Sequence, residues 1–364
     1  MVDGGAREPA GAGARPDAGG RWPVLAPEPT APVEPAPPPT FSVVVAAYQA
    51  GPTLAEAVAS AIDQTYPALE VVVCDDGSTD ATSAVLAGFG DRVRAFRQPN
   101  RGEAAAKNAA VRAARGDYVV VLDADDVFLP RRLEALAWLA AHRPDLDVLT
   151  TDAIVEADGR PVRRAYHPGW RFPVDDQRAA ILDRNFVFGL AAVRRQRWLA
   201  DGGFDEALAR TADWELWQRM VLSGSRVGLV DVPLARYRLS AGTLSADRIG
   251  LVRARLTVLR RSAARHDLSP RERAVVAAAT ERERRDLAVR LARAALHRGG
   301  WEARRRSAGL VLGHGFGART RLGALAAVVS PRAAARRLEA LGTTEIGSGV
   351  RVPAREVLPA DEDH

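Results

Sequence analysis

Three carboxylates, Asp123, Asp125 and Asp126, fall within four positions directly after the apolar run Val119-Val120-Val121-Leu122. Acids that close repel one another unless a positive group stands among them. Carboxylate oxygens suit a hard divalent cation, and one that also carries a phosphorylated ligand is the simplest occupant. An isolated Asp-x-Asp is more often a solvated turn before a helix, so the rest of the chain has to decide. A second pair, Asp75-Asp76, follows the run Val71-Val72-Val73-Cys74, and an aromatic, Tyr48, follows Val43-Val44-Val45-Ala46-Ala47. Much later, Asp213 precedes Trp214-Glu215-Leu216-Trp217, where spacing alone reads it as a helix N-cap.

The apolar runs predict strands at 41–46, 69–74, 93–97 and 118–122. Helical stretches separate them: Pro52 to about Gln64, a segment toward Phe89 capped by Ser78 or Thr79, and 103–115. Strands alternating with helices of this length predict βαβ units and an α/β fold with a mostly parallel sheet flanked by helices. Right-handed crossovers then put the carboxyl ends of these strands on one edge, where open sheets bind ligands. That geometry would bring Tyr48, Asp75, Asp76, Asp123 and Asp125 to a common crevice. Beyond it, 130–142 reads as a helix and 146–154 as a strand. The stretch 155–185, with Trp170 and Phe172, reads as a loop region or a substrate-facing insertion. Apolar residues return at 186–193, and 227–232 and 234–239 read as strands.

Composition bounds the rest. A chain of 364 residues can hold one large domain or two modest ones. The lone cysteine, Cys74, excludes an internal disulfide and a cysteine-rich zinc site, and its apolar neighbours make it a buried reduced thiol, which suits the cytoplasm. Residues 1–40, rich in Gly, Ala, Pro and acids, are expected to be a disordered leader. The formal charge of +6 comes mostly from an arginine-rich helical appendix expected at 246–342. There Ser269-Pro270-Arg271-Glu272 forms a capping box, Ser330-Pro331 opens a further helix toward Gly342, and 343–364 is expected to be loose. This appendix reads either as a packed subdomain with solvated arginines or as a basic face held peripherally against the inner membrane surface. No recognition motif points to nucleic acid, and no apolar run is long enough to cross a bilayer.

Taken together, residues 41–245 resemble the family 2 glycosyltransferases of GT-A fold. Val43-Val44-Val45-Ala46-Ala47-Tyr48 is similar to the family's opening strand, and Val73-Cys74-Asp75-Asp76-Gly77-Ser78-Thr79-Asp80 to its nucleotide-binding turn. Asn100-Arg101-Gly102 with Lys107-Asn108 resembles the helix that follows, and Asp123-Ala124-Asp125 the family's Asp-x-Asp signature. Gly202-Gly203-Phe204-Asp205 and Asp213-Trp214-Glu215-Leu216 resemble acceptor-side segments. The resemblance implies an inverting transfer from a nucleoside-diphosphate sugar to a hydroxyl of a glycan or lipid-linked acceptor. It implies that Asp75, with Tyr48 beside it, contacts the donor's base. By the same likeness Asp123 lies near the ribose, Asp125 holds Mg²⁺ or Mn²⁺ on the diphosphate, and Asp213 deprotonates the acceptor. Asp76 shares the nucleotide turn, and Lys107 reads either as a phosphate partner or as a solvated lysine. Trp214 and Trp217 could line a sugar site or belong to the core.

The chemistry asks for these residue types. A nucleoside diphosphate leaves readily only when its developing charge is offset, and a weakly nucleophilic hydroxyl needs a carboxylate to take its proton. Three positions depart from the family: Gln49 replaces the usual Asn, Ala212 an acid, and Ser240 a histidine. A sugar-phosphate nucleotidyltransferase would want a glycine-rich, arginine-containing loop where Ala47-Tyr48-Gln49-Ala50-Gly51 stands. A receiver-like Mg²⁺-binding domain would be far shorter.

Overall fold

The computed structural model describes residues 15–167, 170–239, 247–298, 300–334, 344–346 and 350–352. It divides into two compact units, Met1–Arg238 and Leu239–His364.

The first unit opens with β1 (Val24–Leu25) and β2 (Phe41–Ala47), then α1 (Leu54–Ile62), β3 (Glu70–Asp75) and α2 (Thr82–Ala87). Next come β4 (Arg94–Arg97), α3 (Glu103–Ala113), β5 (Tyr118–Asp123), β6 (Val127–Phe128) and α4 (Arg132–His142). The hairpin β7 (Val148–Ala157) and β8 (Arg160–Arg164) follows, then α5 (Gln177–Asp183), β9 (Ala192–Arg194), α6 (Arg195–Ala200), α7 (Ala212–Leu222) and β10 (Val227–Leu239). All belong to one sheet or pack on it, in strand order β1-β10-β7-β9-β5-β2-β3-β4. The parallel part is β4-β3-β2-β5, and antiparallel strands extend it on the far side of β5. In β2, β3 and β5 both faces are covered, with Val43, Val44, Val45, Val72, Val73, Val120 and Val121 fully buried. Unbroken β-branched runs rather than alternation are what such central strands require. The register is functional: Ala47 pairs with Asp75, and Ala46 with Asp123, so both acidic turns leave the sheet at one edge.

Three expectations change. Residues 15–40 do not behave as a disordered leader, because Trp22 is buried and Val24–Leu25 pairs antiparallel with Val230 and Leu229 of β10. Further contacts hold the segment, with Arg143 donating to Pro27 O at 2.6 Å, Tyr66 to Pro39 O at 2.9 Å and Ala36 N to Ala141 O at 2.8 Å. The stretch 155–185 is no bare loop. Asp158 and Gly159, both at positive φ (50° and 72°), turn β7 into β8, and α5 follows. This Asp-Gly pair is the usual signature of a tight hairpin turn. Finally, α2 is capped by neither Ser78 nor Thr79: its N-cap is Ala81, while Asp80 Oδ1 accepts from Thr82 N at 3.0 Å.

The second unit contains α8 (Arg248–Ala263), α9 (Pro270–Arg298), α10 (Gly300–Leu312), α11 (Ala318–Val329) and a short antiparallel pair, β11 (Thr344–Ile346) and β12 (Val350–Val352). The capping box forms, with Ser269 N donating to Glu272 Oε2 at 2.8 Å and Glu272 N to Ser269 Oγ at 3.2 Å. Where α9, α10 and α11 pack, Ala295, Leu296, Ala303 and Ala327 form one cluster, and Ala292, Leu310 and Ala324 another. The helix expected from Ser330-Pro331 is described only to residue 334, so its course toward Gly342 lies outside the described residues.

Candidate active site

The turn after β3 is a closed hydrogen-bond system. Asp75 Oδ1 accepts from Ser78 N and Oδ2 from Ser83 Oγ, each at 2.9 Å, and Arg97 Nε lies 3.9 Å from Oδ2. Burial pushes the Asp75 pKa up, but the Ser78 and Ser83 donors and the Arg97 charge outweigh it and hold the carboxyl below the ordinary aspartate value. Asp76 faces the other way. It accepts from Arg101 N at 3.0 Å, Gly102 N at 2.8 Å and Gln98 Nε2 at 2.8 Å, and so fixes the entry to α3. Gly77 makes this possible: it sits at φ 79°, and a Cβ there would lie 2.9 Å from Asn100 N.

Across the crevice, Gln49 stands at φ 51°, a region Asn enters more readily than Gln. Its side chain is tied down instead, with Oε1 accepting from Thr79 N at 2.8 Å and Asp80 N at 3.2 Å. Gln49 therefore joins the loop after β2 to the loop after β3. Tyr48 beside it is 55% exposed, a ring with an open face at the sheet edge.

The turn after β5 is the opposite kind of place. Asp123 Oδ1 receives Lys107 Nζ at 2.5 Å, and the same ammonium pairs with Glu103 one helical turn back. Lys107 is buried, so the solvated-lysine reading does not hold. Burial alone would depress its pKa, yet Asp123 and Glu103 hold it above the ordinary lysine value. Among the described residues Asp125 has no such partner. Burial first, then the Asp123 charge, pushes it up to about 6. Asp126 is fully buried; its Oδ1 accepts from Arg238 N at 2.9 Å, while Oδ2 has no hydrogen-bond partner among the described residues. Burial and the two neighbouring acids raise Asp126 well above the ordinary range. Arg238 also donates to the Asp125 carbonyl at 3.2 Å and pairs with Glu56 at 2.6 Å, so the end of β10 braces this turn. Ser240, the departure two residues on, lies outside the described residues.

Asp213 is the second residue of α7, whose N-cap is Thr211, so it is not a capping residue. Its Oδ2 accepts from Asn185 Nδ2 at 2.8 Å. Burial raises its pKa, against the hydrogen bonds from Trp214 N and Asn185 and the Lys107 charge that work to lower it. The ammonium that holds Asp123 thus also favours the charged form of Asp213. The two ends of the crevice are also tied by Asn108, which donates to Phe204 O at 2.8 Å and accepts from Phe204 N at 2.9 Å. Gly203, at φ 71°, is required because a Cβ would collide with Asn108 Oδ1. Trp214 and Trp217 belong to the core, at 2% and 0% exposure, not to a sugar-lining wall.

The sheet edge thus brings Tyr48, Asp75 and Asp76 onto the turns beside Asp123 and Asp125, and Lys107 links Asp123 to the neighbourhood of Asp213. Participants that the sequence analysis does not single out include Glu103, Asn185 and Glu56. Glu103 had a signal in its i,i+4 spacing to Lys107; Asn185 had none, since only packing brings it to α7. Cys74 is buried and its thiol is pushed up to about 12 by burial and the nearby Asp76 and Asp75 charges, so it is no nucleophile.

The donor set fits a hard divalent ion bound together with a diphosphate. Among the described residues no three His, Cys, Asp or Glu side chains converge as a metal cage. An ion that completes its shell with substrate phosphate oxygens needs only one or two carboxylates, and Asp125 is poised, unpartnered and electrostatically crowded.

Comparison with known proteins bears on the same stretch. Residues 42–200 match the model of glycosyl transferase family 2. The chondroitin synthase of Escherichia coli is 31% identical over 189 residues, covering 50% of this chain and 26% of that protein. The succinoglycan biosynthesis protein ExoO of Rhizobium meliloti is 33% identical over 219 residues, covering 57% of this chain and 63% of that protein. The chain therefore spans about a quarter of the chondroitin synthase's length. In fold it is similar to a mannosyltransferase from Pyrobaculum calidifontis solved with GDP-Man and Mn²⁺, with TM-score 0.52 and 22% identity over 87% of this chain and 92% of that one.

Proposed function

We propose that this chain, whose residues 42–200 match the model of glycosyl transferase family 2, transfers a sugar, with inversion, from a nucleoside-diphosphate sugar to an acceptor hydroxyl in glycan or polysaccharide synthesis. The observation that supports this reading is the register that carries Asp75 and Asp123 off one edge of the sheet, with the buried Lys107 ammonium paired to Asp123. In this reading Tyr48 stacks on the donor's base and Asp75 orients it, while Asp76 holds the loop that frames the ribose side. Asp123, fixed by Lys107, meets the ribose. When bound through Asp125 and the donor's diphosphate, Mg²⁺ or Mn²⁺ would offset charge on the departing nucleoside diphosphate. Asp213 takes the proton from the acceptor hydroxyl while its oxygen forms the new bond to the anomeric carbon. The anomeric carbon–phosphate oxygen bond breaks on the opposite face, its electron pair leaving with the diphosphate, so the configuration inverts. Asn185 holds Asp213 at the helix start, where the helix dipole favours the carboxylate.

The acceptor is a glycan or a lipid-linked glycan, and the reduced buried thiol supports a cytoplasmic setting. No described helix is long and apolar enough to cross a membrane. Neither a nucleotidyltransferase nor a receiver domain accounts for the family match or for Asp213. The test is a donor screen with and without Mn²⁺, reading release of nucleoside diphosphate in wild type, Asp125→Ala and Asp213→Asn. Loss of donor binding in the first, and of turnover alone in the second, is the expected pattern. Retained turnover in Asp213→Asn would overturn the assignment.

A further inference from the structure

In the second unit, α11 turns its large residues the wrong way for water. It packs Ala324 and Ala327 inward, at 6% and 2% exposure, and leaves Leu322, Leu325 and Val329 at 67%, 51% and 73%. At about 100° per residue, those three fall within roughly 60° of one another on the helix. On α10, Trp301 and Leu312 are 77% and 80% exposed. They stand about three turns apart and so point to the same side. Trp301 and Val329 line one hollow of about 410 Å³ together with Arg304, Ser330 and Arg332, which joins the two helices' exposed sides. Soluble chains rarely leave a contiguous apolar face of this kind uncovered.

Charge indicates what covers it. Residues 300–334 hold six arginines (304, 305, 306, 319, 321 and 332) against one acid, Glu302, which pairs with Arg306 at 2.8 Å. A second copy of this face would set like charges against each other at short range. A nucleic-acid backbone would engage the arginines and leave the leucine stripe in water. An anionic bilayer satisfies both: guanidinium groups reach headgroup phosphates, tryptophan sits at the interface, and leucine and valine enter the acyl boundary. We propose that the α10–α11 face is a peripheral binding surface for anionic phospholipid bilayers.

The test uses the full chain and co-sedimentation with vesicles of phosphatidylcholine, alone or mixed with phosphatidylglycerol. Binding is expected only with phosphatidylglycerol and should weaken as salt rises. The double variant Leu325→Glu, Val329→Glu, whose folding is checked by circular dichroism, should bind about tenfold or more weakly. Arg304→Gln with Arg332→Gln, which leaves the stripe intact, should weaken binding by roughly tenfold as well. Equal binding to neutral and anionic vesicles, or full binding by both variants, would overturn the proposal. So would lipid-free self-association that the glutamate variant abolishes, which would assign the face to a second copy. An identical loss of binding to soluble polyglutamate and to vesicles would point to an acidic protein partner instead.

Discussion

The two acidic turns at the carboxyl edge of the sheet look alike in sequence and are built in opposite ways. At the turn after β3, both carboxylates are saturated by donors: Asp75 by Ser78 and Ser83, Asp76 by the Arg101 and Gly102 amides and Gln98. At the turn after β5, among the described residues only Asp123 has a cation; Asp125 is pushed up to about 6, and Asp126 keeps one oxygen without a partner there. A carboxylate satisfied by amides stabilises the loop it sits in. One held among like charges raises the free energy of the empty site and lowers it again when a cation arrives. The first turn is therefore built as a rigid scaffold, the second as a receptacle for charge.

Substitutions can break this contrast, and the largest effect lies at the third acid, which belongs to neither turn. Asp213→Asn should lower kcat by roughly a thousandfold or more, as removal of a general base does, with donor affinity by calorimetry unchanged. Since burial raises the Asp213 pKa, wild-type kcat should fall as the medium is acidified through a value above the ordinary aspartate range, and the variant should lose that limb. Next in size, Asp125→Ala should weaken divalent-dependent donor binding by about a hundredfold, and stripping the cation from wild type should mimic it. Asp76→Ala, which orphans two loop amides, should cost about 1–3 kcal/mol in urea denaturation. The smallest change should have the opposite sign. The folded-state pKa of Asp125, about 6, lies above its unfolded value, so stability present at low pH is lost as pH rises through about 6. Without divalent ions, Asp125→Asn should thus be more stable than wild type by about 1 kcal/mol at pH 8, discounted for its partial exposure, and not at pH 4. If Asp76→Ala proved neutral and Asp125→Asn destabilising, the distinction between scaffold and receptacle would fail.

Much of this was legible from residue order. The unbroken valine runs of β2, β3 and β5 identify central parallel strands, and from them follows the shared edge for Asp75 and Asp123. The capping box at Ser269 and Glu272 forms as its spacing says. Less visible were features that depend on a partner brought from afar. Trp22 and Val24–Leu25 look like leader residues until β10 offers them an edge. The hairpin β7–β8 was signalled by Asp158-Gly159, which the reading of 155–185 as irregular passed over. Lys107 reads equally well as solvated until the fold places Asp123 over it.

The sequence by itself determined which residue types reach the sheet edge, because strand periodicity and crossover handedness are local properties of the chain. Only the tertiary structure decided which of those acids are already satisfied and which remain open. That choice is set by donors from remote segments, such as Asn185 at Asp213 and Arg238 at Asp126. A carboxylate's character depends on the solvent and charge within a few ångströms of it, and chain order does not specify that neighbourhood.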